Sequence, residues 1–162
     1  MLAEHYHEFY LEKVFNAYRV QSKKSLQPTT DSVVGVLPQQ DKDMKIPHPI
    51  QYQGSKRVLA STILRYFPYK FPRLVEPFAG TAAISIACAT KGRANSYWIN
   101  DLNKPLMELL GLIINHPAKI ADFYETLWNQ QHDDPIEHYY QVREDFNRTG
   151  DPRLFLYLLA RC

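Results

Sequence analysis

Apolar side chains recur at helical spacing near the start of the chain. In residues 1–20 an apolar and strongly aromatic stripe returns every three or four positions, which predicts an N-terminal helix. The stripe needs a surface to pack on, and packing on this same domain is favoured over a partner chain or DNA. Residues 21–49 are polar and hold four of the eleven prolines, a pattern typical of a linker between two parts of a chain.

From residue 50 onward, short apolar runs alternate with helical periodicity. Ser55 is the expected N-cap of a helix that ends near Phe67, because a proline follows. Asn103 is the expected cap of a strongly apolar helix that has a proline near its start. The other expected elements are a strand at Arg73–Glu76, a turn at Pro77–Gly80, a helix at Thr81–Lys91 closed by Gly92, a strand at Tyr97–Ile99 and the apolar helix at Pro105–Asn115.

Strand, glycine turn, helix, strand, acidic residue and helix follow one another in that order. This order is the opening of a doubly wound α/β sheet, so the predicted fold class is α/β, a partial Rossmann-like fold. After Pro117 only helical periodicity recurs, which predicts a following helical segment and no further strand. Two strands are fewer than this fold normally buries, and the last apolar run reaches Cys162 without a C-cap signal. We therefore expect residues 50–162 to be the N-terminal part of an incomplete domain.

Composition narrows the class of protein. The chain has a net charge of +2 and a hydrophobic fraction of 45%, ordinary values for a soluble domain, and no apolar run approaches the length needed to span a bilayer. Cys88 lies in an apolar run, where it is expected to be a small core residue. Cys162 is far from it, so neither a disulfide framework nor a metal site is expected. These features predict a cytoplasmic protein with no membrane partner.

Charge is unevenly distributed along the chain. Residues 44–75 contain six lysines or arginines and no aspartate or glutamate. Such a segment could lie near phosphates or could be a solvated basic face, and charge alone favours neither interpretation.

A nucleotide-type pocket is indicated by the segment Glu76–Thr81. A strand that ends in an acid, a turn with a glycine and the start of a helix allow the backbone to approach a ligand closely at Gly80. Glu76 suits an ammonium group, and Asp101, at the end of the second strand, suits ribose hydroxyls. An acid in that position serves NAD as well as an adenosyl cofactor. The absence of G-x-G-x-x-G and of G-x-x-x-x-G-K-[ST] disfavours NAD and ATP sites.

Three ordered motifs carry a family resemblance. Residues 52–56 (Tyr-Gln-Gly-Ser-Lys), 75–81 (Val-Glu-Pro-Phe-Ala-Gly-Thr) and 100–103 (Asn-Asp-Leu-Asn) resemble, in order and rough spacing, the motifs of the Dam-like, D12 class adenine-N6 DNA methyltransferases. The resemblance covers Pro49 to Cys162 and implies an S-adenosylmethionine-dependent methyltransferase fold that acts on double-stranded DNA. The cofactor-binding residues that it implies are Tyr52, Lys56, Glu76, Pro77, Phe78, Gly80 and Asp101.

The resemblance also implies a role for each part of the site. Tyr52 and Lys56 match residues at the cofactor end, residues 76–80 match the motif that contacts methionine and the adenosyl group, and Asp101 matches the acid on the ribose or adenine side. One position departs from the family pattern, because Ala82 stands where many members have a second glycine. Since alanine is small, we expect binding to be retained.

The catalytic motif of this family is Asp-Pro-Pro-Tyr or a close variant, and by resemblance it would hold the flipped adenine. Asp134-Pro135 and Asp151-Pro152 are followed by other residues, and neither follows a strand-like run, so no catalytic residue is assigned.

Three interpretations follow from a cofactor pocket without a catalytic motif. The first is a split or truncated methyltransferase, which transfers a methyl group to adenine N6 only when a second chain completes it. The second is a catalytically inactive remnant, or a cofactor- or DNA-binding module, of a restriction–modification system. The third is a structural interaction protein, which rests on the aromatic N-terminal helix alone and is the least favoured.

Overall fold

The computed structural model describes residues 46–131 and 134–161. The predicted helix of residues 1–20, and all but the end of the predicted linker of residues 21–49, lie outside the described residues. The described part contains six helices and two strands. In chain order they are α1 (Arg57–Leu64), β1 (Phe71–Glu76), α2 (Ala83–Thr90), β2 (Ala94–Ile99), α3 (Lys104–Asn115), α4 (Pro117–Asn129), α5 (Pro135–Thr149) and α6 (Pro152–Arg161).

The two strands pair in parallel, with α2 connecting them as in a strand–helix–strand unit. The register places Leu74 opposite Tyr97 and Val75 opposite Trp98. Leu74 and Tyr97 lie on the face that α1 and α2 cover, whereas Val75 and Trp98 are 52% and 65% exposed on the other face. The α/β class is thereby confirmed. The finer assignment to a Rossmann-like fold stays a prediction, because the sheet has two strands in the described residues.

Buried side chains form three clusters. The first joins α1 and α2 to β1 and contains Cys88, which is fully buried as the sequence predicts. The second is built on α3, whose apolar residues pack with those of α2, α4 and α6. The third joins α4, α5 and α6 around Tyr157. The core is therefore continuous from the strand pair to the following helical segment through α3.

The limits of α1 differ from the prediction at both ends. Ser55 is not the N-cap, because Lys56 occupies that position without a side-chain hydrogen bond. The Ser55 hydroxyl is instead hydrogen-bonded to the Thr81 hydroxyl, with the two oxygens 2.9 Å apart. The α-helix ends at Leu64 rather than Phe67, since the next three N–H groups bond to carbonyls three residues back, as in a 3₁₀ turn.

The start of α2 is also later than predicted. The helix begins at Ala83 rather than Thr81, because Gly80 and Ala82 both adopt left-handed backbone, with φ of 52° and 54°. Glycine takes this conformation freely, whereas for the fully buried Ala82 it costs about 1 kcal/mol. The turn after β1 is therefore longer than the sequence indicates, and it includes a strained residue.

Three other predictions are confirmed. The Asn103 side-chain oxygen accepts a hydrogen bond from Leu106 N at 3.2 Å and caps α3. Gly92 ends the turn after α2 with a positive φ. Both strands occur where they were expected, although each starts two or three residues earlier, at Phe71 and Ala94.

The two Asp-Pro pairs begin helices. Asp134 accepts hydrogen bonds from Ile136 N and Glu137 N, both at 3.0 Å, and so caps α5. Asp151 precedes α6 and accepts from Arg153 N at 2.9 Å. Each aspartate thus satisfies backbone donors at a helix start, with proline as the first helical residue. Every helix in residues 46–131 and 134–161 is too short or too polar to cross a bilayer.

Candidate functional site

The candidate site lies where the two parallel strands end. β1 leads into the turn at residues 77–82 and β2 leads into the loop at residues 100–103, so both segments meet at the carboxyl edge of the strand pair. Backbone hydrogen bonds join them: Ala79 N donates to Asn100 O at 2.9 Å, and Asn100 N donates to Glu76 O at 3.0 Å. In open α/β sheets this edge is where ligands bind.

Asp101 fixes the glycine turn. One carboxylate oxygen, Oδ2, accepts a hydrogen bond from Gly80 N at 2.9 Å, and the other, Oδ1, accepts from Asn103 N at 3.0 Å. The bonds from Asn103 N and Gly80 N lower the pKa of this carboxyl below its usual value. Asp101 is therefore anionic at neutral pH, and each oxygen keeps lone pairs for another donor.

Glu76 connects β1 to the start of α2. Its Oε2 accepts hydrogen bonds from both Ser85 N, at 2.9 Å, and Ser85 Oγ, at 2.5 Å. Ser85 is buried in the first turn of α2, so the carboxylate caps this helix from nine residues earlier in the chain. The other oxygen, Oε1, has no hydrogen-bond partner among residues 46–131 and 134–161, which leaves it for a ligand.

The turn between these two carboxylates has an open inner side. A Cβ added at Gly80 would have no atom within 4 Å, so the glycine is required by its positive φ and leaves free space beside the backbone. Phe78, in the same turn, is 85% exposed. Pro77 is also exposed, and its carbonyl accepts from Asn100 Nδ2 at 3.3 Å. Neither side chain is part of the core, so both are available to a ligand.

The loop of residues 52–56 is attached to the glycine turn. Ser55 N donates to Tyr52 O at 3.1 Å, which closes a tight turn around Gly54, and the Ser55 hydroxyl bonds the buried Thr81 hydroxyl. Tyr52 and Lys56 are exposed on this loop. A cavity of about 930 Å³ opens beside it, and the residues that line it are Ile50, Gln51, Tyr52, Gln53, Gly54, Ser55, Arg57 and, from α6, Leu159.

The structure therefore brings the predicted site residues into one region through direct bonds. Glu76, Gly80 and Asp101 are linked through the turn and the loop after β2, and Tyr52 and Lys56 are joined to this turn by Ser55. Their cofactor contacts stay predictions, since each was assigned by resemblance. No group of three His, Cys, Asp or Glu side chains within the described ranges could hold a metal ion.

Three residues that the sequence analysis did not assign take part in the site: Ser55, Thr81 and Ser85. Each contributes a hydroxyl whose partner lies elsewhere in the chain, 26 residues away for Ser55 and Thr81. Ser85 lies in the first turn of the helix that comes after the acid-ended strand and its glycine turn, where a carboxylate can accept from helix N–H groups, and that position is a sequence signal for contact with Glu76.

Known proteins match the region of the chain that contains this site. Residues 52–162 match the family model of the D12 class N6 adenine-specific DNA methyltransferases. The chain is 30% identical over 113 residues to the DNA adenine methylases of Escherichia coli K12 and Salmonella typhi, and 28% identical over 114 residues to that of Haemophilus influenzae. These alignments cover 67% of this chain and 38% of each relative, so the chain spans well under half the length of those proteins. No solved structure matches.

The family match starts at Tyr52 and covers the loop of residues 52–56, the glycine turn, the loop with Asp101 and the helical segment. The resemblance stated from the three motifs is confirmed, because it falls in the same region. The chain therefore belongs to the D12 class N6 adenine-specific DNA methyltransferases.

Proposed function

We propose that this chain provides the S-adenosylmethionine-binding part of an enzyme that methylates adenine N6 in double-stranded DNA. The observation that carries the proposal is the pair of carboxylates, Glu76 and Asp101, held by backbone donors on either side of the open glycine turn. Enzymes of this class generally use S-adenosylmethionine, which supplies an activated methyl group on a sulfonium centre.

The residues present fit such a cofactor. The unpartnered Oε1 of Glu76 would accept a hydrogen bond from the ammonium of the methionine part. The remaining lone pairs of Asp101 would accept hydrogen bonds from ribose hydroxyls, because both of its oxygens are already oriented by backbone N–H groups. The open space beside Gly80 would allow the ligand to lie against the backbone. Tyr52, Lys56, Pro77 and Phe78 would complete the site from its exposed rim.

Methyl transfer also needs groups that hold the acceptor adenine. The Asp-Pro-Pro-Tyr motif of the family does not occur in these 162 residues, and the two Asp-Pro pairs act as helix caps. We propose that the catalytic residues come from polypeptide beyond these residues, either in the same protein or in a second chain. The alternative is a module of a restriction–modification system that binds cofactor or DNA without catalysis, and the same absence of the motif favours it.

The experiment is a calorimetric titration of S-adenosylmethionine into the 162-residue chain and into its Asp101→Asn variant. The substitution removes the charge and leaves one acceptor oxygen where Gly80 N and Asn103 N use two. We expect an affinity at least tenfold lower, since a hydrogen bond to a charged group contributes about 1.5–3 kcal/mol. Asp122→Asn, at an exposed position on α4, is the matched control. An affinity that is the same in all three proteins would refute the site assignment.

Methyl transfer distinguishes the two forms of the proposal. The chain alone is expected to transfer no methyl group to DNA, because it lacks an adenine-holding motif. Transfer by the isolated chain would contradict the need for further residues. Activity that appears when a polypeptide containing Asp-Pro-Pro-Tyr is added would favour the split enzyme over the non-catalytic module.

A further inference from the structure

The outward face of α1 carries basic and polar side chains together with the apolar Val58 and Leu59, which are 82% and 53% exposed. Arg57, Ser61 and Arg65 follow one another four residues apart, and Val58, Thr62 and Tyr66 form the adjacent row at the same spacing. All six side chains are exposed, with Tyr66 at 85%. Tyr69 and Lys70, in the connection to β1, extend the surface and are exposed as well. We call these eight residues the α1 surface.

No acidic side chain accompanies these cations. Residues 46–75 contain no aspartate or glutamate. In residues 46–131 and 134–161 the ion pairs join Lys104 to Glu108, Arg148 to Asp145 and Arg153 to Asp151, all far along the chain from α1. The side chains of Arg57, Arg65 and Lys70 therefore have no carboxylate partner in the part of the chain that the structure describes.

Helix stability does not explain the charges. The positive end of a helix dipole is its N-terminus, so anions are favoured there and cations are disfavoured. α1 has Lys56 at its N-cap, Arg57 as its first residue and no acid in its first turn, an arrangement that works against the helix. Only Arg65, at the C-cap, has the sign that the dipole favours. Stabilisation of the helix therefore does not account for the positive charge at the start of α1.

We infer that the α1 surface binds the sugar–phosphate backbone of double-stranded DNA, in addition to the contacts made at the target base. The inference rests on the proposed function, because a DNA-acting enzyme supplies the polyanion. Arginine, lysine, serine, threonine and tyrosine side chains are the usual donors to phosphate oxygens, and such contacts position a duplex without reading its sequence.

The geometry connects this surface to the candidate site. α1 begins directly after the loop of residues 52–56, and Ser55 of that loop bonds Thr81 in the glycine turn, so the first turn of α1 lies beside the candidate site. The helix itself, Arg57–Leu64, extends about 12 Å from its first residue beside the site. Duplex DNA carries one charge per about 1.7 Å of its axis, so several phosphates fall within this length. The α1 surface therefore leads a bound duplex away from the site along a track of donors.

The test is the salt dependence of DNA binding by the full chain, measured by fluorescence anisotropy with a labelled duplex of arbitrary sequence. The variant is Arg65→Gln combined with Lys70→Gln, two residues remote from the cavity that Arg57 lines. The matched control is Lys119→Gln combined with Arg143→Gln, which are exposed residues of α4 and α5 and lower the net charge by the same amount. Circular dichroism confirms that each variant is folded.

We expect the slope of log K against log salt concentration to fall by about 2 in the Arg65/Lys70 variant, because each lost phosphate contact removes about 0.9. The control should keep the wild-type slope within about half a unit. An equal slope in the Arg65/Lys70 variant and the wild-type, or an equal loss in the control, would overturn the inference, as would failure of the wild-type chain to bind DNA at low salt. Cofactor affinity is measured separately on the same proteins and is expected to be unchanged. A chain that binds cofactor but not DNA would therefore overturn this inference and leave the cofactor site standing.

Discussion

Replacing Glu76 with alanine is expected to lower the free energy of unfolding by about 2 kcal/mol, since this carboxylate is the cap of α2. The substitution removes the acceptor for two donors, the N–H and the hydroxyl of Ser85, at 2.9 and 2.5 Å. Ser85 is almost completely buried, so water replaces these bonds poorly. An unsatisfied buried donor costs about 1–3 kcal/mol, and loss of a helix cap typically costs about 1 kcal/mol. The expected loss lies in the lower half of the sum of these two costs, because Glu76 itself is only half-buried.

Glu76→Gln separates capping from charge. Glutamine keeps a side-chain oxygen that accepts from Ser85, so most of the stability should be retained, with a loss below about 1 kcal/mol. If Glu76 also holds the cofactor ammonium, the same variant should bind S-adenosylmethionine more weakly. The matched control is Glu108→Ala on α3, whose carboxylate makes an exposed ion pair with Lys104 at 3.7 Å. Such a pair contributes about 0.5 kcal/mol or less.

The assay is urea unfolding of the 162-residue chain, followed by circular dichroism and intrinsic fluorescence. Coincidence of the two curves tests whether the transition is two-state. The midpoint of Glu76→Ala should fall well below those of the wild-type, Glu76→Gln and Glu108→Ala. The reasoning is refuted if Glu76→Ala unfolds at the same midpoint as Glu108→Ala. It is also refuted if glutamine is as destabilising as alanine, because charge and not an acceptor oxygen would then be what α2 requires.

Two further predictions concern the turn beside Glu76. Ala82→Gly should change the free energy of unfolding by less than about 0.5 kcal/mol, because relief of the left-handed strain offsets the lost methyl group and the greater entropy of the unfolded chain. Ala87→Gly, at an equally buried position inside α2, should lower the free energy of unfolding by about 1.5 kcal/mol or more. Equal losses in urea unfolding would show that Ala82 is not strained. Asp101 has a folded-state pKa below its unfolded value, so its stabilising contribution is complete above the unfolded pKa of about 3.9 and is lost as the pH falls through the folded one. Acid titration of stability should accordingly be less steep below about pH 4 in Asp101→Asn than in the wild-type, and an identical profile would contradict the assignment.

Features with a local cause could be predicted from the sequence. The Asn103 cap requires only an acceptor three residues before a helical N–H, and the burial of Cys88 requires only its apolar neighbours. The bond between Ser55 and Thr81 could not be predicted, because it joins two segments that meet only in the folded chain. Nor could the late start of α2, since nothing in the residue type of Ala82 indicates a positive φ.

The same contrast applies to the candidate site. Motif order located the carboxylates, because Glu76 ends β1, Asp101 follows the end of β2, and parallel strands end at one edge. What the motifs could not give is how many lone pairs the protein itself already uses. Both oxygens of Asp101 accept from backbone N–H groups of the protein, whereas only one oxygen of Glu76 does. This difference depends on the positions of individual atoms and not on residue types.

The open face of the strand pair gives the molecule an optical property. The chain has two tryptophans, and they lie in different surroundings: Trp98 is 65% exposed on the face that α1 and α2 leave uncovered, whereas Trp128 is partly buried, with the guanidinium of Arg161 4.9 Å from its ring centroid. Indole emission shifts to shorter wavelength when water is removed from the ring. In a Trp128→Phe background, Trp98 is therefore a native reporter for any polypeptide that comes to cover the sheet, and it needs no attached label.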